Sequence, residues 1–163
     1  MRLLFCCEPF KLSQPDPDYA REVAAAEEAG LSWNLIDFEV LIAGNVAQAL
    51  RRVESTETPE LAVYRGWMLR PGQYRDLYDG LAERGLRLIN TPEEYRRCHC
   101  LPDYYPLIER RTPRSVWTAD PTLPSEQIMA LLEPFGSHPV IVKDYVQIAQ
   151  IRVGRGVLHP RRR

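Results

Sequence analysis

The sequence predicts an α/β protein in which a lobe built on a parallel sheet is followed by an incomplete α+β unit. Two observations predict the lobe. Short apolar or β-branched runs at 2–7, 32–38, 61–66 and 86–90 alternate with stretches of helical composition or period, and the turns between them are short. A third observation predicts the incomplete unit, because from Thr112 onward the sequence offers only an extended run, one helix and one further strand.

Arg2 to Cys7 is the first strand, and EPFKLSQPDPD after it reads as a loop whose prolines and aspartates forbid an immediate helix. Asp16 or Asp18 is the candidate cap of a helix rich in alanine and glutamate, which Gly30 ends. Ser32 to Phe38 is the second strand. Glu39 to Val53 carries a weaker helical pattern broken by Gly44, and LAVYRG, residues 61–66, is the third strand. Pro71 opens a helix whose buried stripe is Tyr74, Leu77, Tyr78 and Leu81, with Gly85 as its end and LRLIN as the fourth strand. Thr91 and Glu94 have capping-box spacing, which places Arg96, Arg97 and His99 on a helix.

Strands alternating with helices over 1–91 make a Rossmann-like lobe, in which ligands lie at the carboxyl ends of the strands. Those ends are Glu8 onward, Asp37, Arg65 to Trp67, and Asn90-Thr91. Residues 92–111 read as a helical connector. TPRSVWTAD (112–120), PSEQIMALLEPFG (124–136) and PVIVKDYV (139–146) read as an extended run, a helix and a strand, too few to be stable alone.

Composition narrows the function classes. A hydrophobic content of 45%, a charged content of 26% and a net charge of -1 belong to a globular chain without a basic surface for nucleic acid or membrane. No apolar run approaches a membrane span, and LLFCCEPF is too short for a signal peptide, so the expected location is cytoplasmic. Cys6-Cys7 and Cys98-His99-Cys100 lack the spacing of zinc or redox motifs, and adjacent helical residues diverge by about 100°, so reduced thiols and no metal site are expected. No G-x-G-x-x-G follows the first strand and no G-K-S/T occurs, so no motif marks a dinucleotide or P-loop site.

YRGWML (64–69), INTPEEYR (89–96), TPRSVW (112–117) and VIVKDYV (140–146), in this order and spacing, resemble a bacterial and phage clade of ATP-grasp domain proteins over residues 1–146. The resemblance implies a Rossmann-like pre-ATP-grasp lobe, then subdomains that clamp ATP between antiparallel sheets, with Mg²⁺ carboxylates in the last one. It also implies ATP-dependent ligation of a small-molecule carboxylate to an amine through an acyl phosphate. Phosphoryl transfer needs cations around the phosphates, and Lys143 is the strand lysine in position for that task. Its alternative is a snorkelling edge-strand lysine. Arg65, at a strand end, and Arg114 are substrate-binding candidates, each with a surface-arginine alternative. The family's phosphate-binding lysine falls within 93–101, where this chain has Arg96, Arg97 and His99 instead. Trp67 is read as core packing.

In the clade, VKDYV is followed by a phrase like KSRKHEWDEACFIP. One permitted coding of residues 147–163, with its first base removed, reads KSRKSEWDEACFIPDA, so a one-base insertion after Val146 is expected to have put this stretch out of frame. The stretch is then a non-native or disordered basic tail, and 112–146 is a partial nucleotide-binding subdomain. The chain is expected to hold no complete catalytic set, to bind ATP and Mg²⁺ poorly and to be inactive. Leu132, Val140 and Val142 are expected to leave an apolar patch prone to association. The rival readings are a non-catalytic module binding a small ligand or a protein, and nucleic-acid binding through Arg161, Arg162 and Arg163.

Overall fold

The computed structural model describes residues 1–143 and 150–153, and the chain divides into two compact units, Met1–Arg96 and Arg97–Arg163. The protein is α/β, with parallel and antiparallel strands mixed in one sheet.

The first unit opens with β1 (Arg2–Glu8), whose Leu4, Phe5, Cys6 and Cys7 are all buried. A strand covered on both faces reads as a continuous apolar run, and β1 is that strand. It pairs in parallel with β3 (Ser32–Ile36) on one edge and β4 (Glu60–Arg65) on the other, and β5 (Leu86–Leu88) extends the sheet from β4. The parallel order is therefore β3-β1-β4-β5. Neighbouring residues of β1 serve opposite faces. Leu4 packs in a cluster with Ile36, Leu50, Leu77 and Leu81, whereas Phe5 packs with Tyr19, Val23 and Leu35.

Residues 8–18 are not the loop that the sequence suggests. Lys11–Pro15 forms β2, antiparallel to the end of β1, with Cys7 opposite Pro15 and Glu8 opposite Lys11. The pairing comes from the unmet edge of β1, and proline is tolerated at the end of such an edge strand. The cap expectation also changes. Asp16 Oδ1 accepts from the Asp18 N–H at 2.9 Å, a turn that delays α1 (Ala20–Glu28) until after Tyr19, which has no side-chain capping bond. Gly30 then takes φ 66°, and the Leu31 N–H reaches the Ala26 carbonyl, closing α1 as expected.

β3 stops short of Phe38 because Asp37 leaves it to cap α2 (Phe38–Ile42), accepting from the Val40 N–H at 3.3 Å. Two short helices, α2 and α3 (Val46–Ala49), flank Gly44. α4 (Pro71–Ala82) buries Tyr74, Leu77 and Leu81, with Tyr78 half-buried beside them. α5 (Pro92–His99) carries the anticipated box, with the Thr91 N–H donating to Glu94 Oε2 at 2.8 Å and the Glu94 N–H to Thr91 Oγ1 at 3.2 Å.

The second unit holds α6 (Leu101–Ile108), α7 (Ser125–Leu132) and an antiparallel pair, β6 (Val140–Lys143) with β7 (Gln150–Val153). β7 falls within the stretch read from the sequence as a tail; residues 144–149 and 154–163 lie outside the described residues. The run 112–118, read from the sequence as extended, carries no regular secondary structure and pairs with no strand among the described residues. α6 holds it through side chains instead: the Ser115 N–H donates to the Tyr105 hydroxyl at 3.2 Å, and the Trp117 ring meets Tyr105 edge-on at 5.4 Å. Tyr105 is the one buried residue beyond Arg97 among the described residues, which there form scarcely any core.

Candidate functional site

β3 and β4 lie on either side of β1, so the chain leaving these strands diverges and opens a crevice at their carboxyl ends. A cleft of about 280 Å³ lies there. Cys7 and Pro9 enter it from the end of β1, and Asp16 from the turn after β2. Asp37, Phe38 and Glu39 enter from the β3–α2 junction, and Trp67 from the turn after β4.

That last turn is held at several points. Trp67 Nε1 donates to Asp16 Oδ2 at 3.0 Å, and its ring meets Tyr19 edge-on at 5.5 Å. The Tyr64 hydroxyl donates to the Trp67 carbonyl at 2.7 Å and lies 3.6 Å from Cys6 Sγ. A Cβ on Gly66 would strike Cys6 Sγ and the Tyr64 ring, so only glycine lets β4 turn so closely over β1. Farther along, the Tyr95 hydroxyl accepts from the Leu69 N–H at 2.9 Å and donates to the Leu69 carbonyl at 3.0 Å.

The cleft is acidic. Asp37 is 6% exposed, with Arg51 Nη1 at 3.5 Å from Oδ2. Burial, then the Asp37 charge, pushes the Cys7 thiol up against the opposing fields of Arg52 and Arg51, and burial likewise raises Cys6. Both thiols are therefore protonated at neutral pH and are poor nucleophiles.

Arg65 stands at the end of β4 but is not in the cleft wall. Its Nε lies 2.6 Å from Glu22 Oε2 and its Nη2 donates to Glu22 Oε1 at 2.8 Å, while its guanidinium sits 5.6 Å from the Tyr19 ring centre. The carboxylate it grips is one of this chain's own. Asn90-Thr91 also lies outside the cleft lining.

The other candidates are scattered. Arg96 and Arg97 are exposed on α5, and Arg114 is exposed in the irregular run 112–118 of the second unit. Lys143 ends β6 opposite Gln150; its side chain, like Arg161, Arg162 and Arg163, lies outside what is described. Cys98 is exposed at the end of α5, and Cys100 is half-buried at the start of α6. A hollow of about 570 Å³ in the second unit is lined by Met129, Leu132, Phe135, His138 and Val140 among others, and Ile141 and Val142 are exposed beside it in sequence.

The nucleotide position that the resemblance implies, beside Lys143, lies outside the described side chains. No three His, Cys, Asp or Glu side chains converge to hold a metal among the described residues. No described helix is long and apolar enough to cross a membrane. Of the cleft residues, the strand-end rule finds Pro9, Asp37 and Trp67 directly. Cys7, Asp16, Phe38 and Glu39 are missed as site residues, although Asp16-Pro17-Asp18 is a legible turn signal. Trp67, read as core, is 40% exposed. Compared with known proteins, the chain matches no family model, and no curated protein matches it.

Proposed function

We propose that the chain is the N-terminal part of an ATP-grasp ligase-like protein whose parent activity joins a carboxylate to an amine at the expense of ATP. The observation that carries this reading is the order of parts: a lobe with parallel order β3-β1-β4-β5, then a separate unit with α7 and an antiparallel pair whose first strand ends in Lys143. The lobe is Rossmann-like in the broad sense, since its strand order reverses about β1 as doubly wound sheets do. In the resembled clade the phosphate loop, the opposite sheet and the Mg²⁺ carboxylates follow the VKDYV phrase, and residues 147–163 carry none of these phrases in their present frame. On this reading residues 1–163 alone lack the groups that the clade uses for turnover. Sequencing the gene through and beyond the Val146 codon tests the reading. An ACFIP-like phrase followed by acidic ligands in the shifted frame supports it; a shifted frame soon closed by stop codons opposes it. Turnover of Mg·ATP by residues 1–163 above background would refute the inactivity.

One observation favours a second reading, a non-catalytic small-ligand module: the strand-end cleft is built wholly from residues of the first unit and needs nothing from the second.

A further inference from the structure

We infer that Cys98 and Cys100 form a reversible disulfide when the chain meets a peroxide, and that closing it unwinds the end of α5. The inference goes beyond both readings of the function and depends on neither.

Covalent geometry is the first ground. One residue separates the two cysteines and no described peptide bond is cis, so two trans links hold their Cα atoms within about 7 Å, the upper end of what a disulfide spans. Inside a continuous helix that closeness is of no use, because residues two apart point about 200° away from each other. α5 ends at His99, however, and Cys100 leaves helical geometry with φ -99° and ψ 109° before α6 starts at Leu101. The Cys100 side chain makes no capping bond to α6, so a disulfide takes no cap from that helix. Only the last turn of α5 has to give way for the sulfurs to meet.

Access is the second ground. Cys98 is exposed and Cys100 half-buried, whereas Cys6 and Cys7 are buried in β1 with thiols raised chiefly by burial, so a peroxide reaches the first pair and not the second. The Cys98 sulfur attacks one peroxide oxygen: an S–O bond forms, the O–O bond breaks, and the displaced oxygen leaves as water with the thiol proton. Cys100 then attacks the Cys98 sulfur: the S–S bond forms, the S–O bond breaks, and a second water leaves. The two thiols lose two electrons, and the peroxide gains them. The effect passes along α5, where Tyr95 stands three residues before Cys98. Its hydroxyl accepts from the Leu69 N–H at 2.9 Å and donates to the Leu69 carbonyl at 3.0 Å, so unwinding the end of α5 loosens the anchor of the turn that carries Trp67.

The test treats the full chain with one equivalent of hydrogen peroxide at neutral pH and reads intact mass, thiol labelling and the backbone amide resonances by NMR. The expected product is a monomer lighter by two hydrogens, with the disulfide mapped to the peptide that holds Cys98 and Cys100. Its two rapidly labelled thiols should be lost and should return with dithiothreitol. The Leu69 amide should shift on oxidation and revert on reduction. Cys98→Ser and Cys100→Ser, at positions outside the buried clusters, should each abolish the monomeric disulfide and the Leu69 shift. Oxidation that runs on to sulfinic acid, a disulfide-linked dimer, or no loss of the fast thiols would overturn the pairing. A disulfide that leaves Leu69 unmoved would overturn the effect on α5 while leaving the modification site. Neither result bears on Mg·ATP turnover, which tests the ligase reading separately.

Discussion

Trp67 Nε1 donates to Asp16 Oδ2 at 3.0 Å, a bond between residues 51 positions apart that ties the turn after β4 to the turn after β2. The same carboxylate accepts from the Asp18 N–H through its other oxygen, so one side chain both shapes the approach to α1 and orients the indole.

Replacing Asp16 with alanine removes both bonds. The expected loss is about 1 kcal/mol in denaturant unfolding, since the groups are exposed, together with greater accessibility of Trp67 to a collisional quencher. An unchanged Trp67 environment in the variant would show that the indole is held by Tyr19 alone.

Tyr95→Phe tests the anchor of the 66–69 turn. Its hydroxyl is the partner of both the Leu69 N–H and the Leu69 carbonyl, and the contact is buried. Leaving those two groups unmet should cost roughly 1–3 kcal/mol in the unfolding midpoint. The ring stacking on Tyr74, at 3.8 Å between centres, should survive and keep the near-ultraviolet dichroism of the pair.

The cysteines should separate by reactivity. Cys98 is exposed and Cys100 half-buried, whereas Cys6 and Cys7 are buried with thiols raised chiefly by burial. A disulfide reagent at neutral pH should label two thiols quickly and two only after denaturant is added. Rapid labelling of all four in the native chain would contradict the closed packing around β1.

Alkaline pH should unfold the first unit. Burial, ahead of all other causes, pushes the Tyr19 phenol up to about 12, and burial also raises Tyr64 and Tyr74. Above the ordinary phenol value near 10 the unfolded chain releases protons that the folded chain keeps. The stabilisation is thus fully present below about pH 10 and is lost through about pH 12 for Tyr19. Phenolate absorbance should show these three tyrosines ionising late, in step with loss of helix, and early ionisation of all eight would contradict it.

Hydrogen exchange should divide the chain. Residues 1–96 hold both clusters of buried apolar side chains, while beyond Arg97 the described residues bury only Tyr105. Amides of β1, β3 and β4 should therefore be protected, and those of α7 and β6 nearly open. Equal protection would mean that the second unit gains a core from elsewhere.

The sequence by itself determined the alternation of strands and helices in the first unit, because apolar periodicity, Gly30, Gly44 and the Thr91–Glu94 box act over a few residues. It also placed Asp37 and Trp67 at strand ends. Tertiary structure alone decided the rest. β2 exists because β1 offers it an edge, and 112–118 pairs with no strand among the described residues while Tyr105 binds it through side chains. The cleft lining joins residues from four separate segments, its carboxylates come from two of them, and Arg65 pairs instead with Glu22. Local propensity says which segments are extended or helical; which edges meet, and which charges share a wall, depends on partners tens of residues away.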